Sequence, residues 1–179
     1  KFFLTGDFGP SFSAYPTTVN TLISHALPWT LGLLLFSTII AWIIGNIVGL
    51  IVGFKQGKLY STFLELIAIV LYPIPYYILG LILLIFFGFI FPIFPMNSTF
   101  LYKEISIDAI LRILEISAMP ALSIIIISIG WWVISMKAMS LNIKNEEYVK
   151  YARLMGIKEY IVMFKYVLPN SLLPQITVL

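Results

Sequence analysis

The chain has 179 residues, 60% of them hydrophobic and 11% charged, with a mean hydropathy of +1.01. That balance excludes an ordinary soluble domain and points to membrane spans. The absence of cysteine excludes disulfide scaffolds and cysteine metal sites, and the net charge of +3 is better explained by membrane topology than by a nucleic-acid partner.

Residues 1–26 form a polar lead-in punctuated by glycine and proline, with Gly6-Asp7-Phe8-Gly9 as a turn signal. Thr17 to Ala26 has the make-up of a short interfacial helix. His25 is the chain's single histidine and has no second ligand candidate, so no metal site is expected. Residues 27–54 make the first complete span, longer than the roughly 20 residues a bilayer needs, with Pro28 near its start. Gly45, Gly49 and Gly53 lie four apart and align on one side of that helix, as close helix packing requires. Asn46 beside this ridge calls for a partner inside a bundle rather than lipid.

Lys55-Gln56-Gly57-Lys58 is a tight basic turn, and residues 62–91 form the second span, interrupted at Pro73-Ile74-Pro75. Two prolines this close remove backbone donors and bend the helix, which lipid tolerates only beside neighbours or a cavity. Taken residue by residue, a plain kink is the simpler reading. A break facing a translocation path is the alternative, because Tyr76 and Tyr77 carry hydroxyls to that depth. Glu65 sits near the basic end of this span, where it reaches water. Pro92 and Pro95 end the span. Asn97-Ser98-Thr99 has the form of a glycosylation acceptor, a triplet common by chance. Ser106 is placed to cap a short surface helix with Ile107, Ile110, Leu111 and Leu114 on one face and Asp108, Arg112 and Glu115 toward water. Residues 118–136 form the third span, with Trp131 and Trp132 as interface-belt candidates.

Residues 137–171 are the longest charged interruption, and 172–179 begin another span. Within Asn145 to Pro174 the pattern reads as a helix, a bend and a second helix. Asn145 is the expected N-cap, followed by Glu146 and Glu147 where the helix dipole favours negative charge. Tyr148, Val149, Ala152 and Met155 recur at helical spacing and define one apolar face. Gly156 stands where a helix end needs positive φ. Ile161, Val162, Phe164 and Leu168 continue the stripe until Pro169, where the pattern is expected to break.

Ala152, Gly156, Leu168 and Pro169, at these separations, resemble the EAA loop of ABC importer permeases. The closer likeness is to the dipeptide/oligopeptide permease family, B-type subunit. Glu147-Tyr148-Val149-Lys150, Ala152-Arg153 and Gly156 match the first part of its loop, and Asn170, Leu172, Leu173 and Pro174 the second. Lys150 and Tyr151 depart from the Glu-Ala pair of the general motif. Gly6-Asp7-Phe8-Gly9 with Ser11, Leu27-Pro28-x-Thr30-Leu31, Gly45 with Gly49, Pro75 with Gly80, and Pro120-Ala121-Leu122 also resemble family patterns. Lys137 stands where the family usually has arginine.

The resemblance implies an all-α membrane protein, a polytopic transmembrane helix bundle with a cytosolic helix-turn-helix coupling loop. The residues implied for coupling to an ATPase are Glu147, Tyr148, Val149, Lys150, Ala152, Arg153, Met155, Gly156, Leu168 and Pro169. Implied partners are a second homologous permease, two ABC ATPase subunits and an extracytoplasmic solute-binding protein, in membrane lipid and with no cofactor. It also implies one span before Lys1 and a final pair completed beyond Leu179, so that the chain reads as a piece cut at both ends.

Orientation follows from charge alone. Lys55, Lys58, Lys137, Lys144, Lys150, Arg153, Lys158 and Lys165 fall on one side, against Lys1, Lys103 and Arg112 on the other. The positive-inside rule puts the first group, and with it the Asn145–Pro174 loop, in the cytosol. The sequence carries no Gly-x4-Gly-Lys-Ser/Thr phosphate loop, no His-Glu-x-x-His and no Gly-x-Ser-x-Gly. Its acids lie in loops or at span ends, so proton coupling has no intramembrane carboxylate to use. Two other classes stay open at this point: a secondary transporter with its coupling residues elsewhere, and a non-transporting scaffold subunit of a membrane complex.

Overall fold

The computed structural model describes residues 6–95 and 107–179, which fall into two compact units, 1–36 and 37–179. The described residues contain helices and no strand, apart from one isolated bridge between Pro10 and Thr18. The triplet Asn97-Ser98-Thr99, the expected cap Ser106 and Lys103 lie outside the described residues.

In the first unit, the Asn20 side chain ties the lead-in together. It donates to Gly6 O at 2.7 Å and accepts from Phe8 N at 3.1 Å. Thr18 Oγ1 accepts from Thr21 N at 3.3 Å, the N-cap geometry that opens helix α1, Val19–Phe54. The expected interfacial helix and the expected first span are therefore one 36-residue helix. Pro28 lies inside it rather than near its start. A proline within a helix forgoes one backbone bond, a loss that a long apolar helix tolerates.

In the second unit, the last turns of α1 pack against α4, Ile107–Lys144. A Cβ added at Gly45 would overlap Trp132, one at Gly53 would overlap Ser140, and one at Gly49 would lie 2.7 Å from Val133 O. Those contacts are largely with backbone and Cβ atoms, which have no rotamer by which to escape. Asn46 is buried on this ridge and donates to Trp42 O of its own helix at 2.8 Å, so its partner is local rather than interhelical. After Phe54 the chain turns through Gly57 at φ +88°, a left-handed position that glycine takes without steric cost.

Helix α2, Leu59–Leu71, and α3, Tyr76–Leu84, flank Pro73-Ile74-Pro75, and α3 runs on into a π turn, Ile85–Ile90. The two limbs are bent by 93°, more than a kinked single rod. α2 lies on α4 at Gly130, where an added Cβ would meet Ala68 O at 2.8 Å. The ring of Tyr72 stacks on Trp131 with centroids 5.5 Å apart. That contact sets Trp131 beside a neighbouring helix and leaves it about half exposed, whereas Trp132 is buried.

α4 corrects two expected boundaries. The surface helix around Ile107–Leu114 and the third span are one continuous helix through Pro120, and that helix runs on to Lys144 rather than ending near Met136. Its basic end is held by partners the sequence did not reveal. Lys137 Nζ pairs with Glu65 of α2, and Lys144 Nζ donates to Phe54 O at 2.8 Å, the free carbonyl end of α1. α1 and the Leu111–Lys144 part of α4 are each long and apolar enough to cross a membrane, and the bent α2–α3 pair passes the same test taken together.

Candidate functional site

The charged interruption folds as helix α5, Glu147–Leu154, a bend, then α6, Glu159–Ile161, a π turn, Val162–Val167, and α7, Leu168–Val178. Asn145 is not the N-cap. Glu146 takes that position with extended backbone, φ −65° and ψ 149°, and no side-chain capping bond, because α4 has absorbed the residues up to Lys144. Glu147 in the first turn and Arg153 in the last complement the helix dipole.

The C-terminus of α5 closes by paired backbone bonds. Ile157 N donates to Ala152 O at 3.2 Å and Gly156 N to Arg153 O at 2.9 Å, with Gly156 at φ +76°. This is a Schellman closure, and its usual apolar contact is present, since Ile157 packs on the cluster that contains Ala152. The turn thereby fixes the angle between α5 and α6. No break occurs at Pro169. The chain passes from the π turn into α7 with Pro169 in its first turn, where the absent N–H matters least. Pro174 also sits within α7, which starts at Leu168 rather than Leu172.

The two faces of α5 separate sharply. Val149 and Ala152, 0% and 1% exposed, are sealed in a core with Leu50, Phe54, Met136, Val162, Met163 and Val167. Leu168 packs against that same core, and Pro169 is exposed. The expected apolar face is thus divided: Val149 and Ala152 turn inward and cannot meet a partner. Tyr148 and Met155 turn outward, joined by Tyr151 and Leu154, which the expected face did not include. Tyr151, Leu154 and Met155 are 62%, 82% and 72% exposed. The signal for them was the i, i+3 spacing of 148, 151 and 154, obscured by apolar residues on the opposite side.

Glu147 and Lys150 flank the outward face in solvent. Arg153 is not free on the surface: its Nε lies 3.1 Å from Glu159 Oε1, and its guanidinium lies 5.1 Å from the Phe54 ring centroid. Partial burial, with Glu146 nearby, pushes the Tyr148 hydroxyl above its ordinary range. The surface offers large apolar groups and two phenols, Tyr148 and Tyr151. These groups stand exposed on a helix whose opposite side is sealed and whose end is closed by the Gly156 turn.

The remaining predicted residues do not join this surface. Pro73, Pro75, Tyr76 and Tyr77 lie at the α2–α3 break. The two tyrosine rings meet edge to face at 6.4 Å, and both are well exposed. Gly45, Gly49 and Gly53 form the α1–α4 seam. Gly130 plays the same part toward α2, and it was not legible in the sequence because a lone glycine beside two tryptophans shows no repeat.

Residues 45–179 match the family described as the binding-protein-dependent transport system inner membrane component. The chain is 32% identical to the oligopeptide transport system permease protein AppB of Bacillus subtilis (strain 168), over 97% of this chain and 54% of that protein. It is 22% identical to the dipeptide transport system permease protein DppB of Lactococcus lactis subsp. cremoris (strain MG1363), over 98% of this chain and 54% of that protein. It is 26% identical to the inner membrane ABC transporter permease protein YejB of Escherichia coli O157:H7, over 93% of this chain and 47% of that protein. The chain therefore spans about half the length of these curated relatives. An all-α chain with membrane-capable helices, a glycine seam and a fixed apolar helix at its basic end thus belongs to the family of binding-protein-dependent transport system inner membrane components.

Proposed function

We propose that this chain is part of the membrane-spanning permease subunit of an ABC importer for peptides or related small solutes, oligosaccharides included. It couples to ATPase subunits through α5. The observation that carries this reading is the outward face of Tyr148, Tyr151, Leu154 and Met155, held at a fixed angle by the Gly156 turn and backed by a sealed core. An apolar helix face of this form suits a groove in a partner. The chain has no phosphate loop, so hydrolysis belongs to that partner. The assembly consists of this permease, a second homologous permease, two ABC ATPase subunits and an extracytoplasmic solute-binding protein. The bent α2–α3 limb, with Tyr76 and Tyr77 exposed at the break, lines the path between the two permeases.

The reading requires α5 to face the cytosol, and these 179 residues contain no cysteine to compete with an introduced thiol. Asn145→Cys is expected to react with a membrane-impermeant maleimide only after permeabilisation, and Phe12→Cys to react in intact cells. The reversed pattern would put α5 out of reach of any ATPase and end the coupling proposal.

A further inference from the structure

Three cations crowd one aromatic ring at the basic end of the bundle. Lys55 Nζ lies 5.4 Å, Lys144 Nζ 5.7 Å and the Arg153 guanidinium 5.1 Å from the centroid of Phe54, whose side chain is buried. A ring has two faces, so its quadrupole cannot serve three cations equally, and each exposed contact is worth only about 0.5–1 kcal/mol. Among the described residues, the one ion pair in the cluster joins Arg153 to Glu159 at 3.1 Å. Among the described residues, neither Lys55 nor Lys144 has an acid within 4 Å. Lys144 spends one donor on Phe54 O and keeps others free. The cluster therefore holds an excess of positive charge with donors to spare, the composition of an anion site.

Its place in the fold selects the anion. Phe54 is the last residue of α1 and Lys144 the last of α4, both apolar helices of membrane-spanning length. With α5 facing the cytosol, the cluster lies at the cytosolic ends of these helices, and basic pockets between spans on that side suit anionic headgroups. We propose that Lys55, Lys144 and Arg153 bind the phosphate group of an anionic phospholipid, seated on the surface beside the closed ends of α1 and α4. A bound headgroup would brace the root of α5, since Arg153 belongs to that helix. The proposal rests on the cytosolic orientation of α5. A wrong orientation would show in the maleimide pattern, which does not depend on lipid retention.

The test uses the assembled importer in nanodiscs of phosphatidylcholine alone or mixed in equal parts with phosphatidylglycerol, with retained lipid counted by mass spectrometry. The wild type and the charge-preserving pair Lys55→Arg/Lys144→Arg are expected to retain phosphatidylglycerol over phosphatidylcholine. Lys55→Gln/Lys144→Gln is expected to lose that preference by about five-fold for each lysine removed. Equal retention by wild type and the glutamine pair would overturn the proposal. Displacement of the lipid by added inorganic phosphate would show a soluble-anion site instead and overturn the lipid assignment. The glutamine pair is expected to assemble in phosphatidylcholine alone as the wild type does; failure there, where no anionic lipid exists, would show that the lysines serve the fold or a partner's carboxylate instead, and overturn it too.

Discussion

The α1–α4 seam and the outer face of α5 are both short, regularly spaced sets of residues on helices, yet they treat exposure in opposite ways. At the seam, Gly45, Gly49 and Gly53 remove side chains so that two backbones touch, and the contact is complete within the chain. On α5, Tyr151, Leu154 and Met155 add large side chains that touch little of their own chain. The first region is finished. The second is left open within the chain, and under the proposed function that difference separates a structural contact from a binding face.

The largest expected effect breaks the finished side. Gly49→Leu would drive a side chain into Val133 O and Met136 Cβ, both 2.7 Å from the new Cβ. Overpacking typically costs about 1–3 kcal/mol, and backbone atoms that cannot move put this case at the upper end. The variant is expected to lose most folded protein after mild heating in detergent, read by size-exclusion recovery. Recovery equal to the wild type would mean that the seam is not close-packed.

A smaller effect tests how the open side is held. Gly156 has φ +76° and nothing within 4 Å of an added Cβ, so substitution there meets strain rather than a clash. Left-handed geometry costs a leucine roughly 1–2 kcal/mol, while asparagine tolerates it better. Gly156→Leu is expected to insert normally but to lose most binding-protein-stimulated ATP hydrolysis, with Gly156→Asn intermediate and a substitution at solvent-facing Lys158 mild. Equal losses at Gly156 and Lys158 would point to charge rather than to the fixed turn.

The smallest effect on the fold concerns the α2–α3 break. Tyr76→Ala and Tyr77→Ala remove exposed rings, so stability should shift by no more than about 0.5 kcal/mol. Solute uptake in reconstituted vesicles should nonetheless change. Normal uptake by both variants would leave the break as architecture alone.

The same contrast explains how much of the fold and the site was legible in the sequence. The glycine ridge and the Gly156 turn were legible because each depends on backbone geometry that few residues satisfy. The α5 face was half legible. Periodicity names the apolar residues of a helix but not what covers them, and α5 is apolar on two sides. Val149 and Ala152 therefore looked equivalent to Tyr148 and Met155, although one pair meets Phe54 and Val162 and the other meets solvent. Boundaries failed for a related reason. The helix over Ile107–Leu114, the span after Pro120 and the basic residues up to Lys144 each carry a different surface pattern, but one backbone ladder runs through all three. What holds its end, Glu65 on Lys137 and Phe54 O on Lys144, comes from residues 72 and 90 positions away in sequence. The bond between Arg153 and Glu159 likewise needed the Gly156 turn to bring the two together.

The two faces of α5 give the most direct measurement, the affinity of the ATPase subunits for the permease in nanodiscs, determined for one outward pair and one inward residue. Tyr151→Ala/Leu154→Ala should leave thermal stability within about 0.5 kcal/mol of wild type. It should weaken ATPase binding by about 2 kcal/mol or more, roughly 30-fold in Kd. Val149→Ala should do the reverse, lowering stability by about 1–2 kcal/mol through a core cavity while the folded fraction binds the ATPase as before. Unchanged binding by the outward pair, or a loss of binding by Val149→Ala at full stability, would contradict the assignment of α5 as the coupling helix with Tyr148, Tyr151, Leu154 and Met155 toward the ATPase.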